Sequence, residues 1–227
     1  MTSDLLECIE IETGKAPRAS VIWMHGLGAD GNDFVPIVRE LELEGAPEIR
    51  FVFPHAPMRP VSINNGYVMR AWYDVKWGDL EGRTKQADET GIRESQRAIE
   101  RLIDREIERG IAAGDVVLAG FSQGGAMALQ TGLRHRGKLA GVMALSCYLP
   151  LAESFDAEAA AVNRDTPIFM AHGVDDPVIA HEMAALSRDI LLQHGYAVEW
   201  HEYPMPHSVC IEEIGHIGAW LRHVLTQ

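Results

Sequence analysis

Residues 116–125 read VVLAGFSQGG, and this stretch decides the fold class of the chain. Four apolar residues lead directly into the pentapeptide GFSQG, and a segment of helical composition follows it. A G-x-S-x-G sequence between a strand and a helix is typical of a nucleophile elbow, a tight turn that exposes a serine hydroxyl at the edge of a sheet. Its glycines leave room for the turn because they carry no side chain. The stretch therefore predicts strand, turn and helix, with Ser122 as a nucleophile.

Two other interpretations of this stretch exist. One is a glycine-rich turn that merely encloses a buried serine. The other is a phosphate-binding loop, but neither G-K-[ST] nor G-x-G-x-x-G occurs at this place. The nucleophile remains the favoured interpretation, and the buried serine remains its alternative.

The rest of the chain alternates short apolar runs with longer segments of helical periodicity. The predicted strands are 6–11, 20–24, 50–53, 115–119, 140–145, 167–171 and 198–203, and the predicted helices are 90–109, 122–135, 179–194 and 209–225. Several of these strands are apolar throughout, which suits parallel strands covered on both faces. The pattern predicts an α/β fold with a mostly parallel central sheet and helices on both faces. No repeat or linker divides the chain, so residues 1–227 are expected to form one domain.

Residues 54–87 show no sustained period, and the pattern predicts neither strand nor helix for them. Asn64-Asn65-Gly66 marks a tight turn within this segment. A stretch of this length without regular structure is usually a functional loop or lid. Its large side chains either fill the core or line a substrate groove, and the pattern does not separate the two; they are Met58, Tyr67, Met69, Trp72, Tyr73 and Trp77.

The charge balance excludes two classes of partner. The chain has 20 Lys and Arg against 33 Asp and Glu, a net charge of −13, and no polybasic cluster. A nucleic-acid-binding surface needs a basic patch, and so does electrostatic docking on an anionic membrane. The longest nearly apolar stretch, 139–151, is far shorter than the ~20 residues that span a bilayer. We therefore expect no nucleic-acid partner and no integral membrane association.

The cysteines and the first residues point to a reducing compartment. Cys8, Cys147 and Cys210 are widely spaced and form no C-x-x-C pair. The beginning, MTSDLLECIE, carries acids where a secretory signal carries Lys or Arg. We therefore expect reduced thiols and a cytoplasmic location.

A serine hydroxyl needs a base, and the base needs an acid to orient it. Behind a nucleophile elbow the chain order is Ser, then the acid, then His. The strand predicted at 167–171 ends in HGVDDP, so Asp175 and Asp176 both lie at the carboxyl end of a strand, where active-site residues occur. The pattern leaves the choice between them open, as it does the alternative that both cap the next helix. His207 lies in a loop between the last predicted strand and helix, which makes it the predicted base.

An acyl-transfer site also needs donors for the oxyanion. The backbone N–H of Gln123 is one candidate, because it follows the nucleophile at the start of a helix. The N–H of Leu27 is the other, in the glycine-rich segment HGLGADG after an early strand, although a flexible connection is the alternative there. His25, His172 and His207 could meet at a metal, but no helical H-x-x-x-H pair exists among them, so no metal is predicted.

Several longer stretches carry a family resemblance. They are WMHGLGADGNDF, FVFPHAPMRPVSINNGYVMRAWYD, GFSQGGAMAL, ALSCYLP, HGVDDPV and the pair His207-Ser208, in this order from about residue 20 to 208. With them the chain resembles the carboxylesterase/acyl-protein thioesterase family, the phospholipase/carboxylesterase group of the α/β-hydrolases. The resemblance implies an α/β-hydrolase fold with Ser122 as nucleophile, His207 as base and Asp176 as acid. It also implies that the amides of Leu27 and Gln123 form the oxyanion hole.

The resemblance has further implications for substrate and assembly. Family members hydrolyse carboxylic esters, thioesters and some lysophospholipids without a cofactor, and several are dimers, which is compatible with a homodimer here. The segment with Met69, Trp72 and Tyr73 resembles the family loop that shapes the acyl groove, so these three are predicted substrate-binding residues. The chain departs from the family pattern at Cys147, where a small hydroxyl residue is expected.

Together these features predict a serine hydrolase that acts on a small acyl ester. Acyl-protein thioesterase or lysophospholipase activity is the alternative within the enzyme class. A non-catalytic module that binds an acyl ligand on the same fold is the alternative of a different class. The complete set of Ser, Asp and His in order favours the enzyme, because a pure binder has no physical need of it.

Overall fold

A computed structural model describes residues 5–79 and 87–226 of the chain. The strands within them are β1 (Cys8–Glu12), β2 (Ala19–Met24), β3 (Ile49–Pro54), β4 (Met58–Val61), β5 (Tyr67–Arg70), β6 (Val116–Phe121), β7 (Gly141–Leu145), β8 (Ile168–Gly173) and β9 (Val198–Tyr203). The helices are α1 (Glu89–Glu108), α2 (Gln123–Gly132), α3 (Phe155–Glu158), α4 (His181–Gln193) and α5 (Ile211–Leu225).

Seven strands form the central sheet, in the order β1-β3-β2-β6-β7-β8-β9. β1 is antiparallel to β3, and all the other neighbours are parallel. β2, β3, β7 and β8 are buried at every position, as expected for strands covered on both faces. Apolar side chains of α1, α2 and α4 pack on one face, and those of α5 pack on the other. The predicted fold class is confirmed.

The seven strands and four helices predicted from the sequence are all present, with ends that differ by at most three residues. The prediction for 54–87 was wrong in part, because β4 and β5 pair as an antiparallel hairpin. Asn65 and Gly66 close it with φ of 56° and 76°, at the predicted turn. The hairpin strands are only four residues long and largely exposed, so they show no periodic burial. Residues 80–86 of the predicted loop lie outside the described part.

The large side chains of this segment divide between core and surface. Trp72 and Tyr73 are buried, whereas Met58, Tyr67 and Trp77 are exposed. All three cysteines are unpaired, and burial raises the pKa of the Cys147 thiol above its ordinary value. None of the helices in the described part of the chain is long and apolar enough to cross a membrane.

Two fully buried glutamates have contrasting surroundings. Glu106 of α1 accepts hydrogen bonds from Arg50 at 2.9 Å and from Arg109 at 3.0 Å. Glu213, in the first turn of α5, makes no hydrogen bond of ordinary geometry through either carboxyl oxygen among the described groups. Burial raises the pKa of Glu213 from 4.5 to about 8, while the backbone of Cys210 acts to lower it. Glu213 is therefore a buried acid that folding keeps protonated.

Glu213→Gln should raise the melting temperature near pH 9 and change it little near pH 5. Unfolded glutamate ionises near pH 4.3, whereas folded Glu213 does so only at about pH 8. Between these values the unfolded state is favoured increasingly as the pH rises, so wild-type stability falls through this window. Glutamine does not ionise. The difference in melting temperature between variant and wild type should therefore widen as the pH rises to about 8 and level off at higher pH.

Thermal melts at about one-unit pH intervals would measure this difference. Glu106→Gln is the matched control, because it removes a paired carboxylate and should destabilise the protein across the same range. A Glu213→Gln shift of equal size at both ends of the range would contradict the assignment of a buried, protonated carboxyl.

Candidate active site

The turn between β6 and α2 holds Ser122 in a constrained conformation. Its φ of 55° and ψ of −122° lie in a region that residues with a side chain rarely adopt. The turn is tight because backbone atoms meet across it. A Cβ on Gly120 would lie 2.3 Å from the carbonyl carbon of Gly124, and one on Gly124 would lie 2.2 Å from the Met24 carbonyl oxygen. Both glycines of the motif are therefore required by close backbone contacts.

His207 lies between the serine and an acid. Its Nε2 is 2.9 Å from Ser122 Oγ, and its Nδ1 is 2.6 Å from Asp176 Oδ2. A carboxylate only accepts, so Nδ1 carries the proton and Nε2 is left to accept from the serine hydroxyl. The ring of Phe121 packs against the imidazole with 4.7 Å between centroids. The structure thus brings the three predicted residues together in the order that proton transfer needs.

The two neighbouring aspartates differ in burial and contacts. Asp175 is exposed, whereas the side chain of Asp176 is fully buried. Asp176 Oδ1 accepts from the N–H of Val178 at 2.8 Å and of Ile179 at 2.9 Å, while Oδ2 faces His207. Helix α4 begins later, with Ala180 at its N-cap position and no side-chain cap. Asp176 therefore orders its own loop and does not cap the helix.

The loop that carries His207 packs on the end of β8 at Gly173. A Cβ on Gly173 would lie 2.2 Å from the carbonyl oxygen of Met205 and 2.5 Å from that of Pro206. No pattern in the sequence assigned a role to this glycine. Its place as the last residue of the strand, in HGVDDP, was the available signal, since a glycine in a strand often allows two backbones to approach closely.

The two predicted oxyanion donors lie beside the serine. A Cβ on Gly26 would lie 3.4 Å from Ser122 Cβ, so the segment containing Leu27 borders the elbow. Gln123 is the first residue of α2, at the positive end of the helix dipole. Within the part of the chain that the structure describes, no backbone group accepts a hydrogen bond from either N–H. Both groups are thus available to a ligand.

His25 fixes the segment that contains Leu27. Its Nδ1 lies 2.7 Å from the Gly26 carbonyl oxygen, and its Nε2 accepts from the N–H of Ala56 at 3.0 Å. Burial lowers the pKa of His25 to about 4, so the ring stays neutral and keeps an acceptor nitrogen. The indole of Trp72 donates to the His25 carbonyl at 2.9 Å. Sequence reasoning considered His25 only as a metal ligand and missed this role.

The same segment is also joined to the β4–β5 hairpin. The N–H of Gly28 donates to the Arg70 carbonyl at 2.9 Å, and the N–H of Gly31 donates to His55 Nδ1 at 3.0 Å. These bonds tie the glycine-rich segment to residues that are tens of positions away. The segment is a hydrogen-bonded part of the site, in contrast to the flexible connection that was its alternative.

The predicted substrate-binding residues lie around this contact. Met69 is half-buried, and its sulfur would be 3.5 Å from a Cβ on Gly28. Trp72 and Tyr73 are 0% and 3% exposed. The side chain of Gln123 holds their backbone, since it accepts from the N–H of Trp72 at 2.8 Å and donates to the Tyr73 carbonyl at 2.7 Å. Contact of these three residues with substrate stays a prediction.

The histidines considered as metal ligands, His25 and His172, are hydrogen-bonded to different backbone groups. His25 is bound to backbone groups, and His172 Nε2 lies 2.9 Å from the Ile179 carbonyl oxygen. Across residues 5–79 and 87–226 no group of three or more His, Cys, Asp and Glu side chains is arranged to hold a metal ion.

A parallel sheet with a serine on such an elbow, bonded to a histidine and an aspartate from later loops, defines the class of α/β-hydrolases. The sequence profile of the phospholipase/carboxylesterase family matches residues 6–225. The chain therefore belongs to the phospholipase/carboxylesterase family.

Curated relatives and solved structures agree with this assignment. The chain is 43% identical to acyl-protein thioesterase 1 of Neurospora crassa, over 89% of this chain and 85% of that protein. It is 40% identical to acyl-protein thioesterase 1 of Gibberella zeae, over 99% and 98%. The crystal structure of Arabidopsis thaliana SOBER1 superposes with a TM-score of 0.84 at 31% identity, over 92% and 99%. The crystal structure of acyl-protein thioesterase 2 of Zea mays superposes with a TM-score of 0.84 at 26% identity, over 96% of this chain and 99% of that chain.

Gly173→Ala should slow the reaction of Ser122 with a fluorophosphonate probe by about 10- to 100-fold. The added methyl group has to displace the backbone of Met205 and Pro206, and His207 moves with them. Gly215→Ala is the control, because a Cβ there meets no atom within 4 Å. Labelling rates and melting curves of both variants would measure the effect, and a folded Gly173→Ala protein labelled at the wild-type rate would refute it.

Proposed function

We propose that this chain is a serine hydrolase that cleaves acyl esters through Ser122, His207 and Asp176. The observation that carries the proposal is the continuous hydrogen-bond chain, 2.9 Å from serine to histidine and 2.6 Å from histidine to aspartate. A serine hydroxyl becomes a useful nucleophile only with such a base in place. The fully buried carboxylate holds the ring in the tautomer that accepts the serine proton.

The proposed reaction has two halves. His207 Nε2 takes the proton of Ser122 Oγ as that oxygen attacks the acyl carbonyl, and it then gives the proton to the leaving group. The acyl group remains on the serine as an ester. In the second half, His207 takes a proton from the water that attacks the acyl-enzyme. The bond between the acyl group and Ser122 Oγ then breaks, His207 returns the proton to Ser122 Oγ, and the acid leaves.

The negative charge that develops on the carbonyl oxygen needs donors already in place. The N–H groups of Leu27 and Gln123 are available for it, as both lie beside the serine and the described part of the backbone offers them no acceptor. Gln123 adds the dipole of α2, which favours an anion at the helix start. The firm attachment of the Leu27 segment through His25 supports this role, since donors that need no reorganisation stabilise a transition state best.

The leaving group is the open part of the proposal. The sequence pattern predicts a carboxylesterase for small oxygen esters. The curated relatives at 43% and 40% identity are named acyl-protein thioesterase 1, which favours a thiol leaving group and makes thioester hydrolysis the second candidate function. Both reactions use the same acyl-enzyme, so one site serves either.

We also propose that the protein acts in the cytoplasm on small acyl substrates. Its three unpaired cysteines are typical of a reducing compartment. The net charge of −13 disfavours nucleic acid as a partner. The acyl-ligand-binding module without catalysis is the alternative of a different class, and the next experiment separates it from the enzyme.

Wild-type protein should hydrolyse p-nitrophenyl esters and S-acyl thioesters of matched chain lengths, and Ser122→Ala should reduce both rates by at least about 1,000-fold. Initial rates over short to long acyl chains would measure this. Faster thioester turnover at equal chain length would assign the thioesterase, and faster oxygen-ester turnover with a maximum at short chains would assign the small-ester carboxylesterase. Acyl binding without turnover in the folded wild type would instead support the binding module.

Asp176→Ala should lower kcat by several orders of magnitude, whereas Asp175→Ala should stay within about threefold of wild type. Only Asp176 is buried against His207, and Asp175 is exposed beside it. Steady-state kinetics of the two variants, whose substitutions lie at adjacent residues, would measure the difference in kcat. Equal losses at both positions would contradict the assignment of the acid.

A further inference from the structure

His172 lies at the carboxyl end of β8, and the reaction described above does not use it. It is fully buried, and its Nε2 lies 2.9 Å from the Ile179 carbonyl oxygen and 3.4 Å from Asp176 Oδ2. A carbonyl oxygen only accepts, so Nε2 carries the proton. Nδ1 is then a bare acceptor, and no described group bonds to it. The polar edge of this ring is thus turned to the loop of Asp176.

The buried carboxylate of Asp176 is surrounded by N–H groups. Oδ1 accepts from the amides of Val178 and Ile179. Oδ2 accepts from His207 Nδ1 at 2.6 Å, and the Nε2–H of His172 approaches the same oxygen. Asp176 Oδ2 is thus hydrogen-bonded to His207, and the N–H dipole of His172, which bonds to the Ile179 carbonyl, lies near the same oxygen. The distance of 3.4 Å makes the contact with His172 the weaker of the two.

We propose that His172 is a positioning residue for the triad, whose Nε2–H ties the Asp176 loop to β8 and limits the charge that Asp176 Oδ2 offers to His207. The inference rests on the proposed function. The bond to the Ile179 carbonyl fixes the loop from one side, because the amide of the same residue already binds Asp176 Oδ1. The carboxylate thus has one preferred orientation, with Oδ2 towards His207.

The neutral state of His172 is essential to this role. Burial lowers its pKa below the ordinary value, although the Ile179 carbonyl and Asp176 act in the opposite sense. The other titratable groups that face it are His207 and His181, whose ring lies edge-on with 6.0 Å between centroids. A cation here would cancel the charge that stabilises protonated His207 during turnover. A neutral N–H dipole orients the carboxylate and leaves most of that charge in place.

The test compares His172→Leu with His172→Gln. Leucine fills the space without a donor, whereas the Gln amide nitrogen reaches about as far as Nε2. We expect His172→Leu to lose about 10- to 100-fold in kcat with little change in KM, and His172→Gln to recover most of the loss. Without the nearby N–H dipole of His172, Asp176 offers more charge to His207 and favours its protonated form. The acidic limb of the kcat/KM profile of His172→Leu should therefore move up by about half a pH unit or more.

His194 supplies a matched control. Its Nδ1 lies 2.8 Å from the Ile190 carbonyl oxygen and its Nε2 3.4 Å from Asp156 Oδ1, the same two kinds of contact at a place away from the triad. His194→Leu and His194→Gln should keep the wild-type kcat and the wild-type pH profile. Melting temperatures of all four variants would separate loss of stability from loss of rate.

Two results would overturn the inference. One is a folded His172→Leu protein with wild-type kcat, and the other is equal loss in His172→Leu and His172→Gln with an unmoved acidic limb, which marks a packing role only. If His172→Leu does not fold, His172→Gln and His172→Asn decide, since the shorter Asn amide does not reach the position of Nε2. A Ser122→Ala protein that turns over substrate at the wild-type rate would refute the proposed function itself. This result differs from the two above, so the two failures are distinguishable.

Discussion

The close approach of α2 to the end of β2 is the constraint on which the site depends. Gly124 lies so near the Met24 carbonyl that any side chain there would overlap it. Without this contact the helix could not begin immediately behind the strand, and Ser122 would not be forced to a φ of 55°. The same contact brings the start of the helix beside the segment of Leu27. One steric condition therefore sets both the conformation of Ser122 and the position of the two amides proposed as oxyanion donors.

The hydrogen-bond ladder of the parallel sheet continues into the loops that follow three strands, and two of these loops carry Ser122 and Asp176. Beyond the last residue of a strand, the next N–H still donates to the neighbouring strand, and these bonds are Ser122 to Leu145, Ser146 to Ala171 and Val174 to Tyr203, at 2.8, 2.8 and 2.9 Å. The loops thus leave the sheet from fixed positions. Residues that act together must be held within fractions of an ångström, and a sheet edge provides this better than free loops do.

The sequence predicted what is local and periodic, and it missed what depends on contacts between distant segments. Apolar runs and the GFSQG turn predicted the sheet and the place of Ser122, because each pattern lies within one element. Asp175 and Asp176 are adjacent in a loop without a period, so only the resemblance separated them. The hydrogen bonds of Gln123 to Trp72 and Tyr73 span about fifty positions and leave no local signature. The β4–β5 hairpin was missed because its short, exposed strands bury no regular face.

Asp176 is the one formal charge within the described hydrogen-bond network of the triad, and the groups that surround it are neutral dipoles. His25 and His172 both have pKa values lowered by burial, and each fixes a loop without bringing a cation into the interior. Buried ions require partners to offset their desolvation, whereas oriented N–H groups cost less. The negative charge thus remains directed mainly at His207, and the amides of Leu27 and Gln123 have no backbone acceptor in the described part of the chain. In the proposed mechanism, the permanent charge of Asp176 and the transient charge on the substrate therefore have separate sets of donors.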